Sequence, residues 1–227
     1  MKITQTIADI KEVTVLMDEN FKDNRNKWDH VDNEDEWSAI REGDYYMKNF
    51  TGDEWMYYDR PSKAGREDDF IIDALMYAVK DDDFSNYGLV WGFEKYPDAL
   101  NRFVIDSRHS RASIVAFVKK DSDIIRRSSK KTNSIHTGSD TITGTHENRL
   151  VILKLGSRMF FFVNDLTNPV FETDAGFFSW SGNRIGFYTE PGMEVVAKSI
   201  KVKKINCEPV KNETFEYLIE QGLNFRN

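Results

Sequence analysis

The chain has a single cysteine, Cys207, which excludes an internal disulfide. Its four histidines are dispersed, so no Cys/His cluster offers ligands for a structural zinc. Only five prolines are scattered along 227 residues, and no proline-rich linker, internal repeat or homopolymer tract divides them, so we read one domain. Long apolar runs are also missing. Stretches such as Leu150 to Leu153 and Met159 to Val163 fall far short of the ~20 residues a membrane helix needs. Basic charge is in short supply, with 31 Lys and Arg against 38 Asp and Glu, a net of −7. That balance argues against a nucleic-acid partner, whose phosphates must be neutralised, and against an anionic membrane surface. The first ten residues lack the continuous apolar segment and small-residue cleavage site of a secretory leader, so a cytoplasmic location is expected.

What the chain does have is strand grammar. Hydrophobic residues make up 40% and aromatics 13%, enough for a sizeable core despite 30% charged residues. Arg149 to Leu155, a Gly156-Ser157 turn and Arg158 to Val163 read as a hairpin. Its second arm is apolar at both parities, which predicts a strand covered on both faces within stacked sheets. A short return strand is expected at Pro169 to Glu172, then strands at Asn183 to Thr189 and Glu194 to Ile205 around a Pro191-Gly192 turn. In the last of these, Ile200 and Val202 alternate with Ser199, Lys201 and Lys203, predicting one buried and one wet face.

The first half repeats the pattern. Ala39 to Arg41 and Asp44 to Lys48 flank a Glu42-Gly43 turn, Trp55 to Tyr58 reads as a short strand stopped by Pro61, and Tyr87 to Phe93 as a strand. In the latter, Tyr87, Leu89, Trp91 and Phe93 share one parity, opposite Gly88, Val90 and Gly92. Leu100 to Asp106 and Ala112 to Val118 follow, around the polar turn Ser107-Arg108-His109-Ser110. Phe70 to Val79 suits either a helix capped by Asp68 or Asp69 or a two-sided buried strand. Lys211 to Gly222 is expected to be a C-terminal helix, with Phe215, Leu218 and Ile219 at helical spacing.

The order of segments carries a resemblance. Phe21 to Trp28 opens the domain, and Phe70-Ile71-Ile72-Asp73 precedes Tyr87-Gly88-Leu89-Val90-Trp91-Gly92-Phe93. Asn148-Arg149-Leu150 leads into Phe161-Phe162-Val163-Asn164, followed by Ile185-Gly186-Phe187-Tyr188 and Ile200-Lys201-Val202. Together these resemble the concanavalin A-like jelly-roll modules of the laminin-G and 3-keto-disaccharide hydrolase-like type. The resemblance implies an all-β fold, a two-sheet antiparallel sandwich over residues 13–205, and a strand at Phe70 to Val79. Residues 1–12 and 206–227 are expected to be extensions outside it, the second helical. Most modules of this kind bind glycans or proteins and a minority are carbohydrate-active enzymes, so the implied partner is a carbohydrate or a protein.

Candidate chemistry is sparse. Glu34-Asp35-Glu36 is the best place for a carboxylate pair, but no apolar residue is interleaved to hold a strand, so solvated, unperturbed side chains in a loop are expected. No Gly-x-Ser-x-Gly elbow is present, and the chain reads as a binding module rather than an enzyme. No cofactor is expected. Asp81-Asp82-Asp83 and Asp121 with Asp123 could supply oxygen ligands for calcium, though neither has EF-hand spacing and acidic turns are commonplace in a chain of net charge −7. Among the histidines His30, His109, His136 and His146, His109 stands out, in a turn beside Arg108 and Arg111. Sugar recognition uses aromatic faces against C–H patches and polar side chains for hydroxyls. This points to Trp91, Arg102, His109, Arg111, Trp55 and Tyr57, with Trp91 also suited to the space between sheets. Arg102 and Arg111 are expected on the outer or concave surface, opposite one another on adjacent strands, with Asp106 or an acidic residue of the next strand available to neutralise them.

Overall fold

The computed structural model describes residues 6–50, 56–79, 86–93, 99–106, 109–120, 123–131 and 146–211. The described strands, in chain order, are β1 (Thr6–Glu19), β2 (Val31–Asp32), β3 (Glu36–Arg41), β4 (Asp44–Asn49), β5 (Met56–Pro61), β6 (Asp69–Ala78), β7 (Asn86–Phe93) and β8 (Ala99–Asp106). They continue as β9 (Arg111–Lys120), β10 (Asp123–Lys131), β11 (Asn148–Leu155), β12 (Arg158–Val163), β13 (Phe171–Asp174), β14 (Arg184–Thr189) and β15 (Glu194–Lys211). The protein is an all-β, two-sheet antiparallel jelly roll. One sheet runs β13-β12-β11-β6-β15-β4-β3-β2, with β1 also on β15; the other, of six strands, runs β10-β9-β8-β7-β14-β5.

Side-chain alternation explains the layering. On β6, Phe70, Ile72, Ala74 and Met76 point into the main core, which resolves the helix-or-strand alternative in favour of the strand. The β11–β12 hairpin forms as expected, with Leu155 opposite Arg158. Met159, Phe161 and Val163 enter the core between the sheets, while Phe160 and Phe162 join Ile71, Val151 and Leu153 in a second cluster on the outer face. The β3–β4 hairpin turns through Glu42 and Gly43 at φ 54° and 82°, the left-handed pair that matches strand twist in a two-residue loop.

Three readings need correction. Lys203, expected on a wet face, is buried on the outer side of its sheet, because Ile71 is its neighbour in the ladder and the face around it is apolar. Phe93 does not share the face of Trp91. Gly92, at φ +76°, is an extra residue in β7 opposite β14, and this bulge turns Phe93 into the cluster with Val90 on the outer face of the six-stranded sheet. Strand pairing also runs past residues 13–205, since β1 starts at Thr6 and β15 ends at Lys211. The remainder of the expected C-terminal helix, residues 212–222, lies outside the described residues, as do Asp81-Asp82-Asp83, Asp121 and His136. Asp123 begins β10, its side chain likewise outside them.

Candidate ligand-binding cleft

The six-stranded sheet is covered on both sides over much of its area. Every residue of β8 is buried: Phe103 and Ile105 point into the core, and Leu100, Arg102 and Val104 point the other way. On that outer face Val90, Phe93, Leu100, Val104, Val115, Phe117 and Tyr188 form an apolar cluster. Beside it, among the described residues, lies a cleft of about 230 Å³ towards the Asn86 end, lined among others by Asn86, Arg102, Ser113, Ser129, Tyr188 and Glu190.

The register builds this cleft. Arg102 is opposite Val90 on one side and Val115 on the other, and Tyr188 is opposite Gly88. The Arg102 guanidinium lies 4.3 Å from the Phe117 ring centroid and 4.5 Å from that of Tyr188, a cation held between two π faces. It is thus 6% exposed, where an outer-surface position was expected. An arginine is suited to this because its planar, weakly hydrated guanidinium stacks on rings. Above it, Asn86 Nδ2 donates to Glu190 Oε1 at 2.8 Å, and the Glu190 amide donates to Asn86 O at 3.2 Å. Burial raises the Glu190 carboxyl above the ordinary glutamate range; hydrogen bonds from Asn86 and the charge of Arg102 pull it down, and Asp106 pushes it up further.

Arg111 is opposite Asp106, not Arg102, because the ladder between β8 and β9 closes at that pair. The like-charge pair expected across the two strands does not form. Asp106 is instead the organising acid of the turn: it accepts from the His109 amide at 3.1 Å, and its Oδ2 is 2.9 Å from His109 Nδ1. Asn86 faces Asp106 from β7, so His109, Arg111 and the cleft share one end of the sheet. Trp91 is 2% exposed, with Phe178 and Phe161 ring centroids at 5.0 and 5.7 Å, so it fills the core and presents no face to a ligand. Tyr57 lies on β5, its side chain outside the described residues, and Trp55 is wholly outside them.

The acidic run departs from its expected solvation at one residue. Asn33 Oδ1 accepts from the amides of Asp35 and Glu36, turning Glu34 and Asp35 outward to solvent. Glu36 begins β3, where burial raises its carboxyl and a hydrogen bond with Tyr58 partly offsets that rise. Asn86, Tyr188 and Glu190 did not emerge from the sequence as candidates. Glu190 precedes Pro191-Gly192 and has the appearance of turn chemistry, and only its pairing beside Asn86 shows it to be a wall of the cleft.

No family model and no curated protein sequence matches the chain. Among solved structures it is similar to a Bacillus subtilis protein of unknown function with a galectin-like fold, at a TM-score of 0.58 and 12% identity, covering 91% of this chain and 100% of that one. It is also similar to the kappa-carrageenase of Pseudoalteromonas carrageenovora in complex with an oligotetrasaccharide of kappa-carrageenan (TM-score 0.54, 9% identity, 90% and 98% covered). A third is the catalytic domain of the endo-1,3-beta-glucanase (laminarinase) of Thermotoga petrophila RKU-1 (0.53, 9%, 89% and 100%). At these identities the similarity is one of fold.

Proposed function

We propose that this protein is a carbohydrate-binding module without catalytic activity, and that its ligand enters the cleft over Arg102. The observation that carries this reading is the lining of the cleft: an amide, a carboxylate, a tyrosine, two serine positions and the Arg102 guanidinium surround one hollow on a sheet face. Such a set pairs donors and acceptors with hydroxyl groups, and the rings beneath fix it in place. The fold is shared with a carrageenase solved with an oligosaccharide and with a laminarinase, which makes a glycan the first ligand class to try.

The test is titration of the full chain with neutral tetrasaccharides built on glucose and galactose, followed by calorimetry. Binding is expected in wild type and absent in Ser113→Trp, which fills the cleft from a half-buried position. Absence of binding at millimolar sugar, or unchanged affinity in a folded Ser113→Trp, overturns the reading. One observation favours a glycoside-cleaving alternative: Glu190, raised by burial and by Asp106, has the environment of a general acid. Release of reducing ends by wild type but not by Glu190→Gln would establish that alternative.

A further inference from the structure

We infer that the loop carrying Trp180 is a second carbohydrate-binding surface, at the rim of the sandwich, where a sugar ring lies on the indole and its hydroxyls meet Arg66 and Asn183. The inference rests on the carbohydrate reading for its ligand class but uses none of the residues of the Arg102 cleft. Trp180 is half-buried beside a hollow of about 370 Å³ lined by Gly65, Arg66, Trp180, Ser181, Gly182 and Asn183. The two glycines leave space beside the ring, and the other residues supply a cation, an amide and a hydroxyl. An adjoining hollow of about 330 Å³ shares Arg66 and reaches Lys154 and Asp174, so polar groups continue beyond the first ring.

The loop is held in advance of any ligand. Asn101, fully buried, donates through Nδ2 to Ser179 O at 2.6 Å and to Trp91 O at 3.1 Å, and its Oδ1 accepts from Ser179 N at 3.0 Å. On the far side of Trp180, Ser181 N donates to Gly92 O at 2.9 Å, and Asn183 O accepts from the Ser62 amide at 2.9 Å and its hydroxyl at 2.7 Å. Preorganisation of this kind lowers the ordering cost of binding.

The indole position is set by packing alone. The ring meets Phe70 edge-on at 6.0 Å, and the Gly92 bulge makes room for it, since a Cβ there would be 3.1 Å from Trp180 Cε3. Its Nε1 is buried without a hydrogen-bond partner, as are those of Trp28 and Trp91, so what sets Trp180 apart is its place on the wall of the hollow. A flat apolar face ringed by hydrogen-bonding groups fits the C–H face and hydroxyls of a pyranose. The loop binds the Gly92 end of β7, whereas Asn86 of the Arg102 cleft lies at the other end of that strand, and Arg102 points to the outer face of the sheet, away from Asn101.

The test follows the five indole N–H signals of the full chain by NMR, with the Trp180 signal identified by its loss in Trp180→Phe. Titration with neutral glucose- and galactose-based tetrasaccharides is expected to move that signal saturably. Arg66→Ala and Asn183→Ala, both at exposed positions, should each weaken the effect, the arginine change by about tenfold. Ser113→Trp should leave it unaltered, which separates this surface from the cleft. The inference is overturned if the signal stays fixed at millimolar sugar, if a proline-rich peptide moves it and no sugar does, if both alanine variants bind as wild type, or if Ser113→Trp abolishes the shift.

Discussion

The side chain of Asn101 grips the backbone of Ser179 from both directions, Nδ2 donating to its carbonyl at 2.6 Å and Oδ1 accepting from its amide at 3.0 Å. These two bonds tie β8 to the loop before β14, and a third, to Trp91 O, ties it to β7. Asn101→Leu removes all three from buried backbone groups and is expected to lower stability by about 3 kcal/mol. Urea denaturation checks this, and a loss below about 1 kcal/mol would contradict the role given to the amide.

Gly92→Ala combines two penalties. The residue sits at φ +76°, and the added methyl would meet Asn101 Nδ2 at 2.8 Å. A loss of about 1–3 kcal/mol is expected, with displacement of the Trp180 indole signal because the bulge would have to shift. A variant as stable as wild type, with that signal in place, refutes the account of the bulge.

Trp91 separates core from site. Trp91→Ala is expected to cost about 3–5 kcal/mol through the cavity left between Phe161 and Phe178. Trp91→Phe, which keeps most of the packing, should bind oligosaccharide as wild type does. A selective loss of binding in a stable Trp91→Phe protein would return Trp91 to the ligand.

Glu190 sets a pH dependence whose sign is determined by burial. Its pKa in the fold is raised above the ordinary glutamate value of 4.5, burial being the main cause. The protonated form is therefore favoured in the fold, and the group's contribution to stability is full below 4.5 and lost as pH rises through the raised value. Glu190→Gln retains an acceptor for Asn86 without the ionisation, so its melting temperature should gain on that of wild type between pH 4.5 and neutrality. A difference independent of pH across that range would show that the carboxyl is not held up.

The hairpins were legible because their information is local. Gly156-Ser157 and Glu42-Gly43 are turn chemistry flanked by apolar runs, and both turns lie where the sequence places them. Phe70 to Val79 was not decided by its own residues, since a strand buried on both faces and a buried helix have the same composition; only the order of neighbouring segments pointed to the strand. Register was out of reach. Whether Arg111 faces Arg102 or Asp106 depends on where the ladder closes, and a shift of a few residues replaces a repulsive pair with an attractive one. Charge also misled where both sheets are covered. Arg102 and Lys203 look like surface residues, yet each has a long apolar stem and lies within an apolar outer face. β10, with its arginines and lysines, escaped notice for the opposite reason: charge on an edge strand protects it from unwanted pairing but hides the strand pattern. Trp180 was not singled out, since Ser179, Ser181 and Gly182 around it carry no strand pattern, and its position beside Gly92 exists only in three dimensions.

β1 and β15 form one antiparallel ribbon in which Glu19 meets Ile200 and Thr6 meets Lys211. The buried side chains of Val13 and Met17 thus wait for residues synthesised almost at the other end of the described chain. A growing polypeptide can form its local hairpins early, but the larger sheet has no lasting partner for β1 until β15 has left the ribosome. Closure of so long a loop places folding on the order of milliseconds to seconds, typical of barrels and sandwiches dominated by distant pairings. During that interval the unpaired edge is open to a neighbouring chain, and β15, the last of the described strands to be translated, is the one that covers it.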